Sequence, residues 1–355
     1  MKGDKQKTLV VLIPGFPANE EDSTCLPMQQ SFLLTLKKLY PQIAIAVISF
    51  QYPFRSDEYT WNEIPVIALN GRNRKGFKRL IVWIRAWRKL NRLRNEREII
   101  GLLSFWCTEC ALVGKWFSRT KHIPHFCWVM GQDARKENRF VKLISPSSNE
   151  LIALSDFLVR EFQHNHGRKP FLVVPTVINR SDFPDTDHNR EIDVIGVGSL
   201  IPLKQYDLFV SAINAATKIN PRLKAVICGK GPEQERLLEL IKQNGLEKNL
   251  DLLGEKSHED VLILLQHSRV LLHTSNYEGF GTVCLEALYA GAHVISLVQP
   301  MDVAIPHWHI VTDVDSMIKK LVELLADPRL NHKPILPYPI ENAAHTIMQL
   351  FLDKQ

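Results

Sequence analysis

The chain has 355 residues, enough at roughly 150 per domain for two domains that each bury a core. It is 45% hydrophobic and 23% charged, without a low-complexity tract or an internal repeat, which excludes a disordered chain and a solenoid. The formal charge is +6, and no apolar run approaches the ~20 residues that a spanning helix needs, which leaves a soluble or peripheral protein.

The first element is a strand near 8–13. In the opening "MKGDKQKTLVVLIPGF" the apolar run covers only Leu9 to Ile13 before Pro14 and Gly15, with no small-residue cleavage site, so it reads as buried strand and not as a leader. Helices are expected near 27–39, 77–93, 107–118 and 155–165, and further strands near 43–48, 98–103, 125–129 and 171–174. The polar, proline-bearing "PTVINRSDFPDTDHNRE" has neither period and reads as a linker over 176–190. It divides a first domain, 1–175, from a second, 191–335, with 336–355 expected to form a C-terminal helix that packs back on the first. In the second domain strands near 192–198, 223–228, 250–253, 269–274 and 293–297 alternate with helices near 205–218, 232–244, 258–267 and 282–290. Such alternation predicts parallel sheets with helices on both faces, so the fold class is α/β, with two Rossmann-like domains facing across a cleft. Ligands are expected at the carboxyl ends of the strands, in that cleft.

The six cysteines (25, 107, 110, 127, 228 and 284) lie mostly in apolar surroundings, as reduced thiols do, and point to a cytoplasmic location. Cys107 and Cys110 make a C-x-x-C in "SFWCTECALVG". No second Cys/His pair has matching spacing, so a buried helix start is favoured over a redox pair or half of a zinc site.

The richest stretch is "SNYEGFGTVCLEALYAGAHVIS", residues 275–296, which leaves a strand, turns on Gly279 and Gly281, and enters a helix. Those glycines let backbone approach a ligand, and the N-terminus of the next helix, from Thr282 and Val283, favours a phosphate. Glu286, one turn beyond Thr282, is placed to accept hydrogen bonds from a ribose diol, and Glu278 faces whatever is attached beyond the phosphates. Two more glycine turns point to the same strand ends. "VIGVGSLIPLKQYDLFVSAI" carries Lys204 to neutralise a diphosphate, and "AVICGKGPEQERL" carries Gly229, Gly231 and Pro232.

Together these residues resemble the donor lobe of the family-four retaining glycosyltransferases, whose two Rossmann domains form the arrangement called GT-B. The resemblance is closest from Glu191 to Leu297. The family's paired glutamates, with seven residues between them, fall on Glu278 and Glu286. Its glycine loop falls on Gly279, Phe280 and Gly281, its G-x-G-P turn on Gly229 to Pro232, and its phosphate lysine on Lys204. In the first domain "IPGFP" stands where the family brings a glycine loop to the donor phosphates, which points to Gly15, and "HFCWVMGQDARKEN" resembles its H-G-S-D stretch, keeping the acid as Asp133. An N-cap role is the alternative for Asp133. Two departures stand out: Ser199 replaces an arginine common beside the lysine, and Met130 replaces the histidine.

Residues 72–97 hold eleven Lys and Arg against one acid, Glu96, so the chain's positive charge belongs to this patch. Phe77, Leu80, Ile81, Ile84 and Trp87 recur at helical spacing there, with Trp83 beside them. A helix lying on an anionic membrane surface, through Arg79, Trp83, Arg85, Trp87, Arg88 and Lys89, is weighed against a core-packed helix with a solvated basic face.

The resemblance implies a retaining hexosyltransferase that moves sugar from a nucleotide-diphosphate donor to a glycan or lipid-linked acceptor, as in polysaccharide or lipopolysaccharide synthesis. Glu278, Lys204 and Asp133 are its catalytic candidates. Neither a metal nor a cofactor is expected, the nucleotide sugar being a substrate. The alternatives are a catalytically silent sugar-nucleotide-binding protein, suggested by Met130 and Ser199, and a nucleic-acid-binding protein acting through the basic patch, for which no motif is present.

Overall fold

The computed structural model describes residues 5–22, 25–185 and 189–354. They fall into two compact units, unit 1 comprising Met1–Val177 with Tyr338–Gln355, and unit 2 Ile178–Pro337.

Unit 1 runs β1 (Lys7–Gly15), α1 (Pro27–Leu39), β2 (Ala44–Tyr52), β3 (Glu58–Trp61), β4 (Ile64–Ala68), α2 (Phe77–Glu96), β5 (Glu98–Phe105), α3 (Glu109–Lys121), β6 (His125–Val129), α4 (Arg139–Ile144), β7 (Leu151–Ala153), α5 (Asp156–His166) and β8 (Leu172–Val173). The strands form one sheet in the order β3-β4-β2-β1-β5-β6-β7-β8. Leu9 to Ile13 of β1 are wholly buried, as an unbroken apolar run requires of a central parallel strand covered on both faces. Local signals set the helix ends. Ser155 Oγ accepts from the amide of Leu158 to start α5, and Gly167, in the left-handed region at φ 66°, stops it.

The expectation of purely parallel pairing needs one correction, because β3 runs antiparallel to β4. Asn62 and Glu63 make the tight turn between them, both at positive φ, and Asn-Glu is not one of the dipeptides that announce a hairpin. The short β7 and α4 lie below the length at which periodicity is legible.

Unit 2 runs β9 (Ile192–Val197), α6 (Tyr206–Thr217), β10 (Ala225–Cys228), α7 (Gln234–Gln243), β11 (Leu250–Gly254), α8 (His258–Gln266), β12 (Ser268–His273), α9 (Thr282–Tyr289), β13 (His293–Ser296), β14 (Trp308–Ile310) and α10 (Val314–Ala326). Its sheet is parallel, in the order β11-β10-β9-β12-β13-β14. The chain builds outward from β9 in one direction and then from β12 in the other, so the order reverses between these two strands, where α/β sheets of this kind open a crevice. Phe209, Ile213, Leu272, Met317 and Leu321 lie in one core cluster of the unit.

The chain then returns to unit 1 as α11 (Ile340–Leu352), which packs along α1, with Tyr40 Oη 2.8 Å from His345 Nδ1. Phe351 fills the slot above Gly101, where a Cβ would come within 2.1 Å of its ring.

Candidate functional site

Two loops meet where the strand order of unit 2 reverses. The one leaving β9 turns through Gly198 and an exposed Ser199 into a 3-10 turn, Pro202–Lys204. The other leaves β12 at His273 and carries Glu278. Thr274 Oγ donates to the carbonyl of Lys204 at 2.6 Å and fastens the loops together. Above that anchor Lys204 Nζ lies 2.7 Å from Glu278 Oε2, and His273 Nε2 lies 3.3 Å from the same oxygen. Burial pushes the Glu278 carboxyl up, but His273 and Lys204 outweigh it and hold it at about 2. Burial lowers the pKa of His273, so the ring is neutral. The result is an ionised carboxylate with one cation and one neutral imidazole on a single oxygen.

The glycines beside this pair are needed by the backbone. A Cβ on Gly229, which has φ 155°, would stand 1.9 Å from the Gly198 carbonyl oxygen, and one on Gly231 2.3 Å from that of Leu200. The turn after β10 is therefore stacked directly on the turn after β9, with Leu200 N donating to Lys230 O at 3.0 Å.

Gly281, at φ 83°, precedes α9 without any side-chain cap, so the helix start is presented by backbone. Gly279 and Phe280 are buried, and the Phe280 ring packs edge-on to Trp308 at 6.0 Å, which makes it the support under the turn. Thr282 and Val283 are half-buried in the first turn. Glu286, one turn further along, is 9% exposed, and its Oε1 lies 2.8 Å from His258 Nε2 at the start of α8. That contact raises the His258 pKa.

Lys204, Glu278, Glu286 and the three glycine turns thus share the carboxyl edge of one sheet. A cavity of about 800 Å³ elsewhere in unit 2 has a different character. Two of its three arginines are spent on the chain itself, Arg190 on the carbonyl of Ala290 and Arg269 on Asp193 and the carbonyl of Leu325.

Gly15 and Asp133 belong to unit 1. Gly15 ends β1, and a Cβ there would meet only ordinary contact with Tyr52. Asp133 is buried, and its Oδ2 accepts from the amide of Met130 at 2.8 Å, closing the 3-10 turn Gly131–Ala134. Burial raises its pKa to about 7. Its carboxyl is engaged by its own turn, which is the capping alternative in a slightly different form, reaching back from inside the turn instead of heading it.

Helix α2 differs from the expected patch in which side it buries. Val82, Ala86, Leu90 and Leu93 form the core stripe. Trp83 packs on Trp116 and Trp87 on Phe117, so both tryptophans turn toward α3 instead of outward. Arg79 lies 3.3 Å from Glu109, and Lys89 is paired with Glu58. Arg85 and Arg88 remain exposed, together with Phe77 (76%), Leu80, Ile81 and Ile84. Cys107 and Cys110 are buried, unpaired thiols at the start of α3.

Residues 179–335, which include every residue of the unit 2 site, match the family model described as glycosyl transferases group 1. Unit 2 is a group 1 glycosyl transferase domain. An uncharacterized glycosyltransferase of Methanocaldococcus jannaschii is 26% identical over 68% of this chain and 68% of its own length. The phosphatidylinositol N-acetylglucosaminyltransferase gpi3 subunit of Schizosaccharomyces pombe is 28% identical over 58% of this chain, and the match spans about half of that relative, 47%. Among solved structures, Anabaena HepE in complex with UDP and glucose superposes with a TM-score of 0.64 at 17% identity, covering 97% of this chain and 95% of that one. That likeness carries the GT-B fold.

Two histidines of the group 1 domain escape sequence reasoning. His273 sits in "VLLHTS", where it reads as the end of an apolar strand, and His258 in "SHED", where it reads as a helix start. Only the fold brings them to Glu278 and Glu286.

Proposed function

We propose that the chain is a retaining, metal-independent glycosyltransferase whose unit 2 holds a nucleotide-diphosphate hexose and delivers the sugar to a glycan or lipid-linked acceptor. The Lys204–Glu278 pair at the reversal point of the sheet carries this reading. A departing diphosphate gathers negative charge while the anomeric carbon becomes positive. Lys204 and the start of α9 stabilise the first, and ionised Glu278 orients the sugar and stabilises the second. The diphosphate itself takes the acceptor's proton on the face it leaves, so no separate base is required. Glu286 takes the ribose hydroxyls. Uridine diphosphate is the first nucleotide to try, because HepE was solved with it, and a lipid-linked acceptor is favoured by the phosphatidylinositol specificity in the name of the fission-yeast relative.

The test is Glu278→Gln. Turnover is expected to fall at least ~100-fold while nucleoside diphosphate affinity is kept, with the donor's anomeric configuration retained in the product by NMR. Inversion, or full turnover in the variant, overturns the mechanism. Absence of donor hydrolysis and of transfer in the wild type favours a silent nucleotide-sugar-binding protein.

The exposed apolar residues of α2, interleaved with Arg85 and Arg88, support a second element of the proposal. Unit 1 rests on an anionic lipid surface, at the cytoplasmic face of the membrane where a lipid-linked acceptor is found. No described helix is long and apolar enough to cross a membrane.

A further inference from the structure

Glu278 offers one oxygen to two partners of different kinds. Lys204 approaches from a part-exposed position, its side chain 18% accessible, on a flexible four-carbon stem. His273 is the last residue of β12, 4% exposed and fixed by its strand. Its Nε2 is buried and makes no hydrogen bond of good geometry, although it stands 3.3 Å from Glu278 Oε2.

A diphosphate carries more charge than a carboxylate and draws an ammonium group strongly. Once Lys204 turns to it, Glu278 loses its cation while remaining three-quarters buried. A buried carboxylate without a partner takes up a proton. We propose that His273 is a positioning residue that keeps Glu278 aimed and ionised after the donor diphosphate has recruited Lys204, a step that rests on the reading of unit 2 as the donor site. The neutral imidazole, with its proton on Nε2, then donates to the oxygen that Lys204 has left. Cys284, facing the pair from α9, supplies no charge, because burial keeps its thiol protonated. Lys204 and His273 are the groups whose contacts hold the carboxyl ionised.

Two substitutions separate this role from simple support of the strand. His273→Phe keeps a ring and removes the N–H, and His273→Gln returns an N–H near the place of Nε2. In His273→Phe turnover is expected to fall about tenfold or more, with the Kd for uridine diphosphate within about twofold of wild type. Its rate should gain an acid limb above about pH 5 as Glu278 protonates, and His273→Gln should recover most of the turnover. Unchanged turnover in His273→Phe, equal losses in both variants, or a loss of nucleotide affinity matching the loss of rate overturns the proposal.

A ligand-free measurement keeps it separate from the donor assignment. The infrared carboxylate band of Glu278, identified by difference against Glu278→Gln, is titrated in Lys204→Ala, which imitates the recruited state. Glu278 is expected to be ionised at pH 7 in Lys204→Ala and protonated at pH 7 in Lys204→Ala/His273→Phe. The same ionisation in both variants overturns the role of His273, whether or not the protein transfers sugar.

Discussion

His258 Nε2 and Glu286 Oε1 stand 2.8 Å apart, so the carboxylate proposed for the ribose has a partner within the protein itself. The pKa of His258 is raised above its unfolded value of ~6.5, and the stabilisation from the pair is therefore complete below about pH 6.5 and lost as pH rises through the folded value. Glu286→Ala should return the His258 titration toward its ordinary value by NMR. It should also weaken uridine diphosphate binding by ~1.5 to 3 kcal/mol in calorimetry, the scale of hydrogen bonds to a charged group. Unchanged affinity would remove Glu286 from the nucleotide site.

The stacked turns of unit 2 predict unequal costs for two glycines that share positive φ. Gly229→Ala drives a methyl group into the Gly198 carbonyl, whereas Gly245, at φ 66°, has nothing within 4 Å. Thermal unfolding should show Gly245→Ala losing ~1 to 2 kcal/mol from backbone strain alone, and Gly229→Ala losing more through steric overlap. Equal losses would mean that the turns separate freely.

Acid should destabilise the fold before most of its carboxylates titrate. His125, buried against Ser104 Oγ at 2.8 Å, and His293, stacked on His307 at 4.3 Å, both have pKa values lowered to about 4, chiefly by burial. The unfolded chain binds these protons near pH 6.5, so stability is lost as pH falls from about 6.5 toward 4. Asp133, raised to about 7, acts in the opposite sense in this range, whereas His258, also raised, does so only above about pH 6.5. Melting temperatures taken between pH 7 and 4.5 should fall, more steeply in Asp133→Asn and less steeply in His293→Asn. A flat profile would rule out this account of the two histidines.

For the surface of α2, Arg85→Glu/Arg88→Glu should abolish pelleting with anionic vesicles, and binding by the wild type should weaken steeply with salt, at about 1 kcal/mol for each basic residue near the surface. Equal pelleting with neutral vesicles would leave the exposed Phe77, Ile81 and Ile84 without this explanation.

What could be read without coordinates followed the length and isolation of each signal. Helix α1 begins and ends where its apolar spacing ends, at 27 and 39. The glycine turns of unit 2 directly follow β9, β10 and β12, with Glu278 in the last of them and Glu286 in the helix after it, so local pattern alone collects them. The hairpin β3-β4 was hidden by an unusual turn pair. Helix α10 was legible in principle, with Asp313 and Ser316 capping each other and Met317, Leu321 and Leu324 buried, but it follows a long irregular stretch where strand–helix alternation gives no guide. On α2 the apolar residues form two stripes, and periodicity does not say which one the core takes. His273 and His258 needed tertiary contacts, because nothing in their neighbours along the chain marks them.

Phe351 closing over Gly101 has a consequence for biosynthesis. The sheet of unit 1 is translated early, yet the ring that seals one of its faces leaves the ribosome only after all of unit 2 has been made. Through that interval β5 presents an open apolar slot, a site where a chaperone or a neighbouring nascent chain gains a foothold. Completion of the first unit is thus timed by the synthesis of the second, and a stalled chain ending before α11 carries this unsealed surface as the mark of its incompleteness.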